Sequence, residues 1–451
     1  MIRLLLAAPA SGTGKTTVTC ALLAALKKRG LNPCAFKCGP DYIDPMFHRS
    51  VLGVESHNLD LFLSDEDAAR QMFARNAAGH GAAVCEGAMG LYDGVGGNTD
   101  RASAWHVADT LDLPILLVVR PKGASLTLAA QIKGLQAFRP DSHIRGIILN
   151  DCKEMLGRTL APMLEKETGI PVLGWLPRVE QAEVQSRHLG LYTAGEVQDI
   201  SDRIDQVAEE LEQHLDMDRL LTLCGAEDLP APEQADGKRK RASIAVARDE
   251  AFCFTYAETL EALELAGAEI VPFSPLHDDA LPEGVSGLYL PGGYPELYAR
   301  ELAENSFMRE AICKAVEGGL PTVAECGGFL YLGKTLLDEE NRAWPMAGVL
   351  PGEGFPAGRL VRFGYAHLKP EADSLLFRRG EEIPIHEFHY WDSTENGDAF
   401  TSEKPVSGRK SRCGFVSESL YAAFPHLYFG GDPRMAERFV QAAEAYGKTR
   451  G

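Results

Sequence analysis

The feature that most constrains this chain is its opening stretch, MIRLLLAAPASGTGKTTVTCALLAALKKRG. A short apolar run leads straight into a glycine-rich loop, and the loop straight into a helical pattern, so Ile2–Ala7 is predicted to be a buried first strand rather than a secretory leader. The loop itself, APASGTGKTT, spans residues 8–17. Between a strand and a helix, its glycines let backbone N–H groups turn toward phosphates while the helix N-terminus adds positive potential. Ser11, Gly12, Thr13, Gly14, Lys15, Thr16 and Thr17 are the predicted nucleotide-binding residues. Lys15 would reach the β- and γ-phosphates and Thr16 would hold Mg²⁺. The full phosphate-loop pattern has glycine six residues before the lysine, where this chain has Pro9; the bland alternative is a glycine turn with an incidental exposed lysine. ATP-driven switches on this fold often carry a second lysine five residues before the first. Here that position is Ala10, which favours an enzyme over a switch.

The alternation continues through CAFKCG, AAVCEG, PILLVVR, IRGIILN and PVLGWLP, each separated by helical stretches, as in a parallel sheet covered by helices. At residues 225–242 it lapses into GAEDLPAPEQADGKRKRA, the predicted linker. A second series then begins with SIAVARD and runs through EIVPFS, GLYLPGG and PTVAECGG; from about Met346, turns and aromatics predict added antiparallel strands and loops. The expected fold class is α/β, with two doubly wound, mainly parallel-sheet domains at 1–224 and 243–451. A chain of 451 residues exceeds what one core usually organises, which agrees.

A net charge of −19 disfavours nucleic acid and anionic membrane as partners, and the KRKR run reads as a solvated part of the linker. No apolar run is long enough to cross a bilayer. Ten scattered cysteines without a CxxC pair read as reduced thiols, which suits a cytoplasmic protein.

Two stretches should end strands of the first sheet, where ligands gather in open α/β folds. KCGPDYIDPMFH carries Asp41 and Asp44; CEGAMGLYDG carries Glu86 and Asp93. Mg²⁺ needs oxygen ligands near the phosphates, and Glu86, an acid just after an apolar strand, is the predicted source together with Thr16. The competing reading has Asp41 and Asp44 making Asx turns before Pro45 and Asp93 making a D-G turn.

In PTVAECGGFLYLG, a strand ends in a sharp turn at Cys326, with two glycines and a helix-forming stretch after it. Such an elbow exposes the sulfur, and the helix N-terminus favours the reactive thiolate. Cys20, Cys85 and Cys313 lie in apolar or helical runs and read as packing residues. His386 and His389 in IPIHEFHYW and His426 in YAAFPHLYFGG are the histidines that could serve Cys326 as base; spacing alone does not choose among them. Gly292 and Gly293, with Gly327, could offer N–H groups to a tetrahedral oxyanion, or simply make a tight turn.

Taken in order, APASGTGKTT, KCGPDYIDP, EGAMGLYDG, FSPLHDDALP, LYLPGGYPELYA, AECGGFLYLG, HEFHYW and FPHLYF resemble the cobyrinate a,c-diamide synthase family across nearly the whole chain. The resemblance implies a P-loop NTPase-like, dethiobiotin-synthetase-like ATP domain followed by a class I glutamine amidotransferase-like domain. It makes Cys326 the nucleophile that takes the γ-acyl group of L-glutamine and His426 its base. Class I amidotransferases usually place a glutamate two residues past that histidine, where this chain has Tyr428; a dyad oriented by backbone or water is therefore expected. His386 and His389 match a structural or substrate-lining motif.

The resemblance further implies ATP with Mg²⁺ as cofactors, and a tetrapyrrole polycarboxylate whose a and c side chains are amidated in turn, with two ATP and two glutamine consumed. Asp41, Tyr42, Asp44 and Asp93 are the candidates for the acyl-phosphate site. Lys37, Arg101, Arg120, Lys122 and Arg187 are candidates for a basic substrate surface. A shielded path for ammonia between the domains is expected, and a homodimer is compatible with this reading. Amidotransferases that act on hydrogenobyrinate, nickel-sirohydrochlorin or adenosylcobyric acid precursors share the architecture. From other classes, a P-loop switch fused to a binding module, or a peptidase, would leave one of the two motifs idle.

Overall fold

The computed structural model describes residues 1–178, 194–229 and 240–450. It divides into two compact units, Met1–Glu233 and Gln234–Gly451. The predicted linker lies across that division; its residues 230–239 fall outside the described residues, and of the KRKR run Lys240 pairs with Glu269 and Arg241 with Glu444.

In the first unit, strands and helices alternate as β1 (Ile2–Ala7), α1 (Lys15–Lys28), β2 (Pro33–Cys38), α2 (Ile43–Ser50), β3 (Ser56–Leu59), α3 (Glu66–Ala77) and β4 (Ala82–Glu86). They continue with α4 (Ala104–Leu111), β5 (Ile115–Val119), α5 (Leu126–Ala137), β6 (Ile144–Asn150), α6 (Glu154–Thr168), β7 (Val172–Leu176), α7 (Ala194–His214) and α8 (Met217–Leu223). The seven strands form one sheet in the order β3-β2-β4-β1-β5-β6-β7, with every pairing parallel. Successive residues of β1 serve opposite faces, as strand geometry requires. Leu4 and Leu6 pack with α1, α7 and α8, whereas Leu5 and Ala7 pack with α3 to α6. Burial on both faces is why IRLLLA lacks polar alternation.

The second unit opens with β8 (Ala242–Ala247), α9 (Ala257–Leu265), β9 (Ala268–Phe273), β10 (Gly287–Leu290), α10 (Ala299–Glu304), α11 (Ser306–Glu317), β11 (Thr322–Glu325) and α12 (Gly327–Leu332). Short strands follow: β12 (Thr335–Leu337), β13 (Ala343–Pro345), β14 (Glu353–Pro356), β15 (Arg362–Pro370), β16 (Ile383–His389), β17 (Trp391–Ser393), β18 (Phe400–Glu403), β19 (Lys410–Cys413), β20 (Phe415–Val416) and β21 (Leu420–Ala423), before α13 (Pro433–Arg450). The main sheet runs β20-β21-β11-β10-β8-β9; only β20 is antiparallel.

Two four-stranded sheets, β13-β12-β14-β17 and β16-β15-β18-β19, carry the added region. It starts at Thr335, earlier than the Met346 expected, and β12 pairs with β14 in parallel. Turn composition marks where chain reverses but not which strands then meet. Cys20 and Cys85 are buried in the core, and Cys313 is half-buried on α11. Among the described residues, no helix is long and apolar enough to cross a membrane.

Candidate active sites

The loop after β1 enters α1 through Gly14, whose φ of +92° is open to glycine at no steric cost. No side chain caps this helix, so its first N–H groups keep no side-chain acceptor. Thr13 Oγ1 donates to Ala10 O at 2.8 Å, and Asn150, the last residue of β6, donates from Nδ2 to Thr13 O at 2.8 Å. A Cβ added at Gly14 would fall 2.0 Å from that Nδ2. Asn150 therefore braces the loop from across the sheet, a role with no signal in the local sequence.

Lys15 donates to Met89 O at 2.5 Å. Burial and the neighbouring Lys37 lower its pKa, against Glu86, Asp93 and Asp44. Thr16 Oγ1 donates to Glu86 Oε1 at 2.6 Å, and Lys37 Nζ reaches the same oxygen at 2.8 Å. Lys37 also pairs with Asp44. Lys37 is thus a buried member of the site and no solvated charge; Glu86 and Asp44 hold it protonated against the effect of burial.

Glu86 Oε2 is buried without a hydrogen-bond partner among the described residues. One orphaned carboxylate oxygen beside a threonine hydroxyl at a helix start suits Mg²⁺, which takes few protein ligands and completes its shell with phosphate and water. Thr16 and Glu86 are the residues that fit it.

Asp41 makes the Asx turn of the bland reading, accepting Ile43 N at 2.8 Å. Burial, then Asp44, pushes its carboxyl up to about 6. Tyr42 is buried beside it. Asp93 Oδ2 accepts Gly90 N at 3.0 Å and closes its own turn. Arg120 pairs with Asp151, Arg101 lies 5.5 Å from the Phe62 ring centroid, and Lys122 is exposed. Arg187 lies outside the described residues.

In the second unit, three adjacent parallel strands bring their carboxyl ends together: β10 delivers Gly292 and Gly293, β11 delivers Cys326, and β21 leads to His426. Cys326 has φ +47° and ψ −100°, a conformation that a non-glycine residue holds only when its surroundings impose it. Its N–H bonds Ala423 O at 2.9 Å. Space at the elbow is tight: an added Cβ at Gly328 would fall 2.1 Å from Leu290 O, and one at Gly327 would fall 3.1 Å from Gly293 N. The amides of Gly293 and Gly327 make no backbone hydrogen bond among the described residues.

His426 is the histidine brought to Cys326. A Cβ on Gly292 would fall 2.6 Å from His426 Cε1 and 3.5 Å from Cys326 Cβ. Burial alone would lower the imidazolium pKa; the charge and hydrogen bond of Cys326, then Glu325, reverse this and raise it to about 10. β16 clamps the backbone, with His426 N to His386 O at 2.9 Å and the return bond at 3.4 Å.

His386 is held near 3 by burial and by His426. His389 stacks on Phe424 with centroids 4.0 Å apart and bonds Trp391 O at 2.7 Å. Of the HxxH pair, His386 thus pairs with His426 through its backbone, and His389 packs against Phe424, two residues before His426.

The expected dyad needs one correction. Tyr428 is buried edge-on against Tyr256, 5.1 Å between centroids, but an acid does face His426: Glu325 Oε2 stands 3.7 Å from Nδ1. It comes from the position before the nucleophile, where a motif anchored on the histidine would not look.

Residues 4–191 match the CobQ/CobB/MinD/ParA nucleotide binding domain family, and residues 243–434 match the CobB/CobQ-like glutamine amidotransferase domain family. A cobyrinate a,c-diamide synthase of Caldanaerobacter subterraneus subsp. tengcongensis is 38% identical over 442 residues, covering 97% of both chains. Its counterpart in Synechococcus sp. is 38% identical over 453 residues, covering 98% of each. That of Clostridium acetobutylicum is 39% identical over 447 residues, covering 98% of this chain and 100% of the relative. With both halves matched in order and nearly end to end, the chain belongs to the cobyrinate a,c-diamide synthase family of ATP- and glutamine-dependent amidotransferases.

Proposed function

We propose that the protein amidates the a and c side-chain carboxylates of cobyrinate, using ATP and glutamine, in cobalamin biosynthesis. The observation that supports this most is the presence on one chain of a Lys15–Thr16–Glu86 phosphate site and a Cys326–His426 thiol–imidazole site. Each lacks a purpose without the other. A carboxylate resists amidation because its leaving group is too poor, and phosphorylation by ATP supplies a better one.

Lys15 would offset charge on the transferring phosphoryl group. Thr16 and Glu86 would hold Mg²⁺, which would supply positive charge to offset that of the phosphates. Lys37, Asp41, Tyr42, Asp44 and Asp93 would line the place where the acyl phosphate forms.

At the other site, the proton of the Cys326 thiol passes to His426, and the sulfur then attacks the glutamine carboxamide. The amides of Gly293 and Gly327 would take up the oxyanion. His426 returns the proton to the departing ammonia, and water then hydrolyses the thioester to glutamate. Attack of that ammonia on the acyl phosphate forms the amide and releases phosphate.

Hydrogenobyrinate and nickel-sirohydrochlorin present the same carboxylate chemistry, so the substrate is tested directly. Incubation with ATP, Mg²⁺ and glutamine against each of the three, followed by product mass, should show double amidation of cobyrinate. Double amidation of another ring in its place would move the assignment to that ring; no mass change with any would overturn the reading.

A further inference from the structure

A histidine that serves a thiol needs its second nitrogen held, because the partner there sets the tautomer and steadies the imidazolium once the proton has moved. The position two residues past His426 holds Tyr428, a buried ring packed against Tyr256, which offers no negative charge. Glu325 does, from the last residue of β11.

Its carboxylate is fully buried. Leu427 N donates to Oε1 at 3.3 Å and the Tyr289 hydroxyl donates to Oε2 at 3.3 Å. Burial raises the Glu325 pKa; the His426 imidazole, the Leu427 N–H and the Tyr289 hydroxyl oppose this and favour the ionised carboxylate. Burial, then Glu325 itself, keeps Tyr289 a protonated donor. The remaining approach to Oε2 is toward His426 Nδ1, at 3.7 Å. That is an ion-pair distance, and contacts of this kind tighten when substrate arrives.

The elbow explains how consecutive residues can serve one imidazole. In a regular strand, the side chains of Glu325 and Cys326 would point to opposite faces of the sheet. Accordingly, Glu325 meets Tyr289 and Leu427 of one core, while Cys326 packs with Leu290 and Phe424 of the other. The turn at Cys326, with φ +47°, swings the thiol back to the strand end, where His426 also lies. Cys326 and His386 also face this imidazole, and burial keeps His386 neutral.

We infer that Glu325 is the positioning carboxylate of the thiol–imidazole site, holding Nδ1–H of His426 so that Nε2 is left for the Cys326 thiol. The proton of the thiol passes to His426 Nε2 and later to ammonia; Glu325 takes none. This role rests on the glutaminase reading above.

The test compares Glu325→Gln, Glu325→Asp and Cys326→Ala in the full-length protein. Glutaminase kcat and KM, the rate of Cys326 alkylation by iodoacetamide at neutral pH, and ammonia-dependent synthesis are measured for each. Glu325→Gln keeps the volume and loses the charge. Its glutaminase kcat should fall by up to about 10⁴-fold with KM little changed, by analogy with the loss of an orienting acid elsewhere. Alkylation should slow, Glu325→Asp should recover part of both, and ammonia-dependent synthesis should persist.

A Glu325→Gln enzyme with kcat within about threefold of wild type and unchanged alkylation would overturn the assignment. Should Glu325→Gln fail to fold, seen as loss of ammonia-dependent synthesis, Glu325→Asp carries the same test. An unchanged kcat and alkylation rate in that variant would overturn the assignment equally. If Cys326→Ala retains glutaminase activity, the thiol reading itself falls, a result separate from the fate of Glu325.

Discussion

Lys37 and Glu86 are direct cross-strand partners in the register of β2 and β4, and their side chains meet at 2.8 Å. The same Glu86 oxygen takes the Thr16 hydroxyl, so strand register connects the phosphate loop to a buried cation. Lys37→Met would leave Glu86 and Asp44 buried without their counter-charge, a loss of about 3–5 kcal/mol. Denaturant unfolding should show that loss, and Lys37→Met/Glu86→Gln should be less destabilised than Lys37→Met alone. Wild-type stability in the single variant would refute the structural weight given to the pair.

The two half-reactions should separate by mutation. Cys326→Ala should abolish glutamine-dependent synthesis and leave synthesis from free ammonia largely intact. Lys15→Ala should remove synthesis with either nitrogen donor and spare basal glutaminase. Product mass and glutamate release read the two outcomes; equal loss with both donors in Cys326→Ala would remove the thiol from its assigned step.

Gly292 is required by space, because its φ is not in the positive region. Gly292→Ala would place a methyl 2.6 Å from His426 Cε1, and the imidazole must move to accommodate it. Misplacement on that scale costs about 10²-fold in rate. Glutaminase assays should show the fall, with ammonia-dependent synthesis as the control that stays. A fully active Gly292→Ala enzyme would contradict this placement of His426.

Asn150→Ala removes the donor to Thr13 O and the side chain that confines Gly14. The loop then pays ordering entropy on binding that the native chain has already met, so KM for ATP should rise by about tenfold, one hydrogen bond's worth. Glutaminase activity should not respond. An unaltered KM for ATP would show that the loop holds its shape without Asn150.

Stability should have an acid component at the C-terminal helix. Arg438 on α13 grips Glu381 with two bonds of 2.7 Å, and this guanidinium holds the Glu381 carboxyl at about 2, below its ordinary value of about 4.3. The sign follows from linkage: the contribution is complete above about pH 4.3 and disappears as pH falls through about 2. Glu381→Gln should therefore lower Tm at neutral pH, and the gap to wild type should close as the pH drops through that window. A gap that does not depend on pH would assign the effect to packing.

Much of the fold was legible in the sequence because parallel sheets bury both faces of their strands. IRLLLA, AAVCE and ILLVV are apolar but for Arg3 and Glu86, and between them lie helix-length stretches; two such series with a break imply two such domains. The small sheets of the second unit were less legible. β12 and β14 lie 16 residues apart at nearest and pair in parallel, which local composition does not encode.

At the sites, the chemistry of Lys15, Thr16, Glu86 and Cys326 is written in local pattern, since a glycine loop or an elbow involves only a few consecutive residues. The sequence by itself determined the glycine-rich turn and the thiol-bearing turn and the strand ends that carry them. Tertiary structure alone decided which distant groups complete them: Lys37 through strand register, Asn150 across the sheet, and His426 through the parallel pairing of β21 with β11. Glu325 was in view beside Cys326 all along, but strand alternation assigns neighbours to opposite faces. Only the positive-φ turn at Cys326 brings the two to one imidazole.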